Sequence, residues 1–269
     1  MFKFAGLILF LILSGCSNNI LSELADKNSD DALLFDARES VNAQDYQTAI
    51  TIITTQMSAG AQQKTEAREV LSSAYAGKCG LNFINYTDGL AQATSGSAFS
   101  LVSSPFVGTA VDPASCLISL QTLDLIGTTA TRTTHQNAFA AVVGMVLMGS
   151  ATRLYTDDNP ADGDGVEDAP DVSCSLTDPQ IDNVILGYAY LSQNFSALSS
   201  STIGGSSSST ISDSIDVCSQ FAGATCTNTD PAQITTQMRD TIKDLMNTTD
   251  YGIGSKPGSS PVLIQAACP

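Results

Sequence analysis

The chain has 269 residues, 43% of them hydrophobic, and carries 11 Lys and Arg against 27 Asp and Glu for a formal net charge of −16. That length allows one large domain or two small ones, and the apolar content is enough for a packed core, which excludes a disordered chain. The acidity excludes nucleic acid and anionic lipid headgroups as natural partners.

The chain begins with one positive charge, Lys3, followed by an apolar run from Phe4 to Leu13 and then Leu13-Ser14-Gly15-Cys16. The run is roughly half of what a membrane-spanning helix needs, which is the proportion of a secretory signal. Small residues before a cysteine at the end of such a run resemble the lipobox of bacterial lipoproteins. The resemblance implies that residues 1–15 are removed and that Cys16 becomes the first residue, modified by lipid with palmitate among its acyl chains. Residues 16–28 then form a polar tether. Ser17 stands after the cysteine, where an Asp would favour inner-membrane retention, so the resemblance implies a cell-envelope protein anchored in the outer membrane.

Residues 29–269 read as a single all-α domain. Ser29-Asp30-Asp31 caps a helix from about Ala32, with Leu33, Leu34, Ala37 and Val41 at helical spacing. A break at Asn42 to Asp45 precedes a second helix marked by Tyr46, Ala49, Ile50, Ile53 and Met57. Ser58-Ala59-Gly60 reads as a turn. A third helix spans about Gln62 to Tyr75, with Ala67, Val70, Leu71, Ala74 and Tyr75 on its apolar face, until Gly77 and Gly80 interrupt it. Helical propensity resumes towards Ala93. Thr94 to Asp112, with its Gly, Ser and Pro, reads as a loop. Asp112-Pro113 starts a helix carrying Cys116, Leu117, Leu120, Leu123 and Ile126. Ala138 to Ala151 holds no charged residue and reads as the buried central helix, too short to span a membrane. On it, Ala140, Gly144 and Met148 give one face where a neighbour can approach closely. Asp178-Pro179 opens a helix with Ile181, Val184, Ile185, Ala189, Leu191 and Phe195. Ser196 to Ser214 reads as a serine-rich flexible loop. Asp230-Pro231 opens the last helix, with Ile234, Met238, Ile242, Leu245 and Met246, before an irregular tail from Gly252.

The first two helices resemble a tetratricopeptide (TPR) helical hairpin. Leu33 and Ala37 sit at the large and small interface positions of its first helix, and Tyr46 and Ala49 at the aromatic and small positions of its second. Ser72 and Tyr75 restart a similar pattern about one repeat later. The match covers about 60 residues and lacks the repeat's Trp and closing Pro. It implies antiparallel helical hairpins, as a TPR-like array or an irregular bundle, with surfaces that dock a protein partner. Among such proteins the similarity to periplasmic lipoproteins of TRAP-type transporters is general rather than motif-level.

Beyond Cys16 there are six cysteines: Cys79, Cys116, Cys174, Cys218, Cys226 and Cys268. An even number in an exported chain implies up to three disulfides, and fifteen pairings are open. Cys218–Cys226 is favoured because it closes a short loop, and Cys268 is placed to staple the tail. Cysteine-based metal binding is disfavoured, because no C-x-x-C occurs and His135 is the single histidine.

Chemistry-bearing residues concentrate in one acidic run from Asp157 to Asp168. Asp162, Asp164 and Asp168 resemble a D-x-D-G-x-x-D calcium loop, in which alternate carboxylates on a Gly-permitted turn converge on one hard cation, and Asp158 just ahead of them is a further candidate ligand. The alternative is a solvated acidic loop, and any calcium would be structural. No G-x-S-x-G elbow, P-loop or G-x-G-x-x-G is present, and one histidine cannot make H-E-x-x-H. Asn85, Asn194 and Asn247 match the glycan acceptor pattern by chance. The expectation is a non-enzymatic, lipid-anchored scaffold or accessory subunit of an envelope complex, with no cofactor beyond that calcium. A small-ligand binder, with Tyr75, Tyr86, Tyr155, Tyr188 and Tyr190 as lining residues, and a calcium-stabilised surface lipoprotein are the alternatives.

Overall fold

The computed structural model describes residues 27–92, 96–157, 166–199, 208–222 and 227–268. These residues form an all-α structure held by disulfides. Among them there is no strand, only an isolated bridge between Thr248 and Lys256.

Four helices, one of them a single turn, build an N-terminal layer. Helix α1 is Asp30–Asn42, started by the Ser29 side chain accepting from the Ala32 N–H at 3.3 Å. Gln44 adopts a left-handed conformation (φ 62°) in the turn that reverses the chain. Asp45 then caps α2, Tyr46–Thr51, by accepting from the Thr48 N–H at 3.2 Å. The last turn of α2 widens into a π-helix, Ile52–Gln56. Ser58 to Gly60, expected as a turn, opens instead the one-turn helix α3, Ala59–Gln62, with the Ser58 hydroxyl as its cap. Helix α4, Thr65–Lys78, closes the layer. Leu33, Ala37, Ala49, Ile50, Ile53, Ala67, Val70 and Ala74 make a small core of their own, separate from that of the remaining molecule.

Gly77 does not interrupt α4 as expected. A side chain there would overlap the Tyr46 ring, so the glycine makes room for the aromatic to cross the two helices. Gly80, at φ 116°, is the residue that turns the chain out of the helix. Helix α5, Phe83–Gln92, follows.

The segment expected as a loop from Thr94 to Asp112 contains a buried helix, α6, Ala98–Ser103. Ser97 caps it by accepting from the Ser100 N–H at 3.2 Å, and Phe99, Leu101 and Val102 are enclosed. Composition misled here because the glycine that admits α6 lies elsewhere: a side chain at Gly149 would strike the Val102 carbonyl. Helix α7, Pro113–Asp124, starts as expected, with Asp112 accepting from the Ser115 N–H at 3.3 Å and Pro113 in the first turn.

Helix α8, Thr134–Thr156, is the axis of the molecule. Thr133 and Gln136 form a capping box, with bonds of 3.3 and 2.8 Å. At 23 residues it exceeds the charge-free stretch and is long enough to cross a membrane, but 78% of its most apolar window is buried inside the protein. It crosses α9, Asp178–Ser199, which is the main helix–helix contact. A Cβ on Gly144 would sit 2.8 Å from both the Gly187 carbonyl and the Leu191 nitrogen. The close-approach face expected from Ala140, Gly144 and Met148 therefore meets a second glycine on the partner helix.

Asp178 lies inside the first turn of α9 rather than ahead of it; Thr177 precedes the helix and donates its N–H (2.9 Å) and hydroxyl (2.7 Å) to the Gln180 side chain. The serine-rich loop is shorter than expected. α9 runs to Ser199, and α10, Ser208–Ala222, takes in Ser209 to Ser214, with Ile211 and Ser214 buried. Residues 200–207 lie outside the described residues. Asp230-Pro231 opens only a 3-10 turn; Thr235 caps α11, Thr236–Met246. A last short helix, α12, is Pro261–Ile264.

Two disulfides fix this body. Cys79 joins Cys116 (Cα–Cα 5.1 Å), tying the exit of α4 to α7. Cys174 joins Cys268 (5.5 Å), stapling the tail to the approach of α9. Cys218 is also disulfide-bonded; Cys226, its expected partner, lies outside the described residues.

Candidate functional site

Several of the sequence-derived site residues fall outside the described residues: Cys16 with most of the tether, and Asp158, Asp162 and Asp164 of the calcium-like loop. Asp168 is exposed, and its N–H donates to the Thr156 carbonyl at 3.0 Å. Asp157, 1% exposed, pairs with Arg153 at 3.4 Å and anchors the start of the acidic run to the end of α8. Among the described residues no three His, Cys, Asp or Glu come together as a metal ligand set. Asn194 and Asn247 are buried, which removes both as glycan acceptors.

The tyrosines proposed to line a cavity are mainly core. Tyr86 and Tyr188 are enclosed, and burial raises both hydroxyl pKa values well above the ordinary range. Tyr155 accepts from Asn183 at 3.2 Å. Tyr190 differs: its ring is in the core, but its hydroxyl donates to Asp124 at the edge of a cavity.

That edge is built by Arg132, which sequence reasoning did not single out. The α7–α8 connection is rich in threonine, and Arg132 is its single ionic residue. Its side chain is 1% exposed and pairs with Asp124 at 3.0 Å. Its Nε donates to Asn137 (3.0 Å), and Nη2 donates to Thr129 (3.3 Å) and Asn194 (3.4 Å). Thr129 donates onward to Gln193 Oε1 at 2.9 Å. Burying a guanidinium costs several kcal/mol unless its donors are matched, and here four protein acceptors match them. The result is a rigid polar floor beside a cavity of about 310 Å³. The sequence signal was available: Arg132 and His135 are the only ionisable residues between Asp124 and Arg153.

Other depressions are present among the described residues. His135 lies with Glu69, Leu123 and Phe139 around a cleft of about 200 Å³ between α4, α7 and α8. Asp213, Asp216 and Asp250 face an open groove of about 460 Å³, and burial together with Asp250 and Asp213 raises the Tyr251 hydroxyl pKa. On the outside of the N-terminal layer Phe35 is 61% exposed, on the face of α1 opposite the buried Leu33 and Ala37.

No family model, curated protein or solved structure matches the chain.

Proposed function

We propose that the chain is a non-enzymatic, lipid-anchored protein of the cell envelope, held in the outer membrane through Cys16, that serves as a scaffold or accessory subunit of an envelope complex. The observation that carries the docking part of this reading is the N-terminal layer. It has its own small core, meets the body through α4, and leaves the outer faces of α1 and α2 to solvent with Phe35 on them. The crossing of the Tyr46 ring over Gly77 packs the second helix against the next one, as stacked helical hairpins require. The lipobox resemblance supports the anchor, and it sets the layer next to the tether.

The test is a photo-crosslinking residue placed at Phe35 in the full-length protein on its native membranes, with Leu263 on the body as control. The expected result is one discrete cross-linked species from position 35, absent from position 263 and lost when Cys16→Ser releases the protein from membranes. A Cys16→Ser protein that stays in the membrane fraction overturns the anchor. The absence of any species from position 35 overturns the docking surface.

A further inference from the structure

We propose that the cavity between the α7–α8 connection and the C-terminal half of α9 binds a small neutral polyol of the sugar class. The inference is independent of the anchor and of the docking surface proposed above.

Charge balance comes first. Arg132 and Asp124 form an ion pair at 3.0 Å, so the floor carries no net charge. A carboxylate or phosphate would meet Asp124, and an amine would meet Arg132; neither kind of ion is favoured. The lining disfavours lipid and aromatic ligands too. It consists of Asp124, Thr128, Thr129, Arg132, Gln193 and Thr229 with the small residues Gly127 and Ala130, and it holds no large apolar side chain. A neutral ligand rich in hydrogen-bonding groups remains.

The donors and acceptors match vicinal hydroxyls. Asp124 accepts from Arg132 at one carboxylate oxygen and from Tyr190 at the other, and each oxygen keeps a further lone pair for a ligand hydroxyl. Its side chain is 43% exposed, so those lone pairs are reachable. Gln193 accepts from Thr129 through Oε1, which fixes the amide and leaves its Nε2 as donor. Thr128, whose hydroxyl pairs with that of Thr131 at 3.3 Å, and Thr229, whose hydroxyl bonds the Tyr190 hydroxyl, each keep a further hydrogen-bonding position for a ligand. A sugar hydroxyl both donates and accepts, so neighbouring hydroxyls can bridge an acceptor such as Asp124 and a donor such as Gln193.

The floor is preorganised. The Arg132 network holds Asp124 and Thr129 in place before any ligand arrives, which lowers the ordering cost of binding. Burial, with Asp124 adding to it, keeps the Tyr190 hydroxyl protonated at any physiological pH, so it remains a donor to Asp124. A volume of about 310 Å³ is at the small end of ligand pockets and suits a single sugar ring.

The experiment is an amide-resolved NMR titration of the disulfide-intact protein with glucose and with myo-inositol, followed by acetate and putrescine as ionic probes. Saturable shifts of the Gln193 side-chain amide and of the Thr128 and Thr229 backbone are expected, with a dissociation constant on the order of 1 mM. Acetate and putrescine should leave the same signals in place. Gln193→Ala changes an exposed side chain and keeps the fold; it should weaken binding about tenfold, the value of one lost hydrogen bond. Thr229→Val, of similar shape, should weaken it as well. Shifts that do not saturate, that are unchanged in both variants, or that follow acetate or putrescine instead would overturn the proposal.

Discussion

The N-terminal layer and the central body solve the same packing problem in different ways. The layer brings α1, α2 and α4 together through alanines and aliphatics, with no disulfide inside it. Its seam with the body runs along α4 and α7. Ser72 and Ser119 exchange reciprocal bonds, each hydroxyl donating to the other's carbonyl at 2.9 and 2.7 Å, and Arg68 donates to the Leu125 carbonyl. The body instead crosses its two longest helices at a pair of glycines and then locks them. Arg239 on α11 grips Asp182 on α9 at 2.7 and 2.9 Å, and Cys268 is bonded to Cys174. Close packing in the layer is replaceable side chain by side chain; in the body it depends on backbone meeting backbone.

A severe way to break the crossing of the two long helices is Gly187→Ala. The new Cβ would lie 2.5 Å from the Met148 nitrogen and 2.8 Å from the Gly144 carbonyl, and backbone cannot step aside. We expect a loss above about 3 kcal/mol, read as failure to reach a folded state or as a large drop in the denaturation midpoint. A wild-type midpoint would disprove the crossing. Next is removal of Cys174–Cys268 by paired alanines, which we expect to cost about 4 kcal/mol because the bond spans 94 residues. Removing Cys79–Cys116, across 37 residues, should cost about 0.8 kcal/mol less by loop entropy. The reverse order would show that local packing, not loop length, dominates.

Ile53→Ala tests the layer alone. The side chain is fully enclosed in the small core, and its truncation should cost about 2–4 kcal/mol. Because the two cores are separate, hydrogen exchange should speed up in α1, α2 and α4 while α8 stays protected. Uniform acceleration would mean the layer and the body open together. The smallest effect is expected from Asp30→Asn. Asp30 accepts from the Ser58 hydroxyl and N–H, both at 2.7 Å, tying α1 to the start of α3. Those bonds hold its carboxyl below the ordinary value of 3.8. Its stabilisation is thus present above pH 3.8 and lost as pH falls through the lower folded value. Thermal melts of variant and wild type should differ at neutral pH and converge in acid; a gap that persists there would remove the carboxylate from the account.

The helices whose starts depend on local chemistry were readable from sequence. Ser29, Asp112-Pro113 and the apolar run of α8 each carry their signal within a few residues. The failures are long-range. Ala98 to Ser103 reads as loop until Gly149, about 50 residues on, is known to open a slot for it. Ser208 to Ser214 reads as linker until the Tyr188 hydroxyl is seen donating to the Ser214 carbonyl. The same holds for the site. The acidic run advertised itself by composition, whereas the Arg132 floor draws on α7, α8, α9 and the threonine-rich connection, four stretches that the fold brings together.

The spacing of the bonded cysteines also sets a timetable. A chain emerging N-terminus first presents Cys79 and Cys116 in succession, and they can pair before α8 has appeared. Cys174 must wait as a thiol until Cys268 arrives, while Cys218 passes in between. Oxidation that outruns synthesis would therefore trap Cys174 with the wrong partner. Reaching the Cys174–Cys268 bond requires either that Cys174 stay reduced until Cys268 emerges or that thiol exchange undo an early wrong bond.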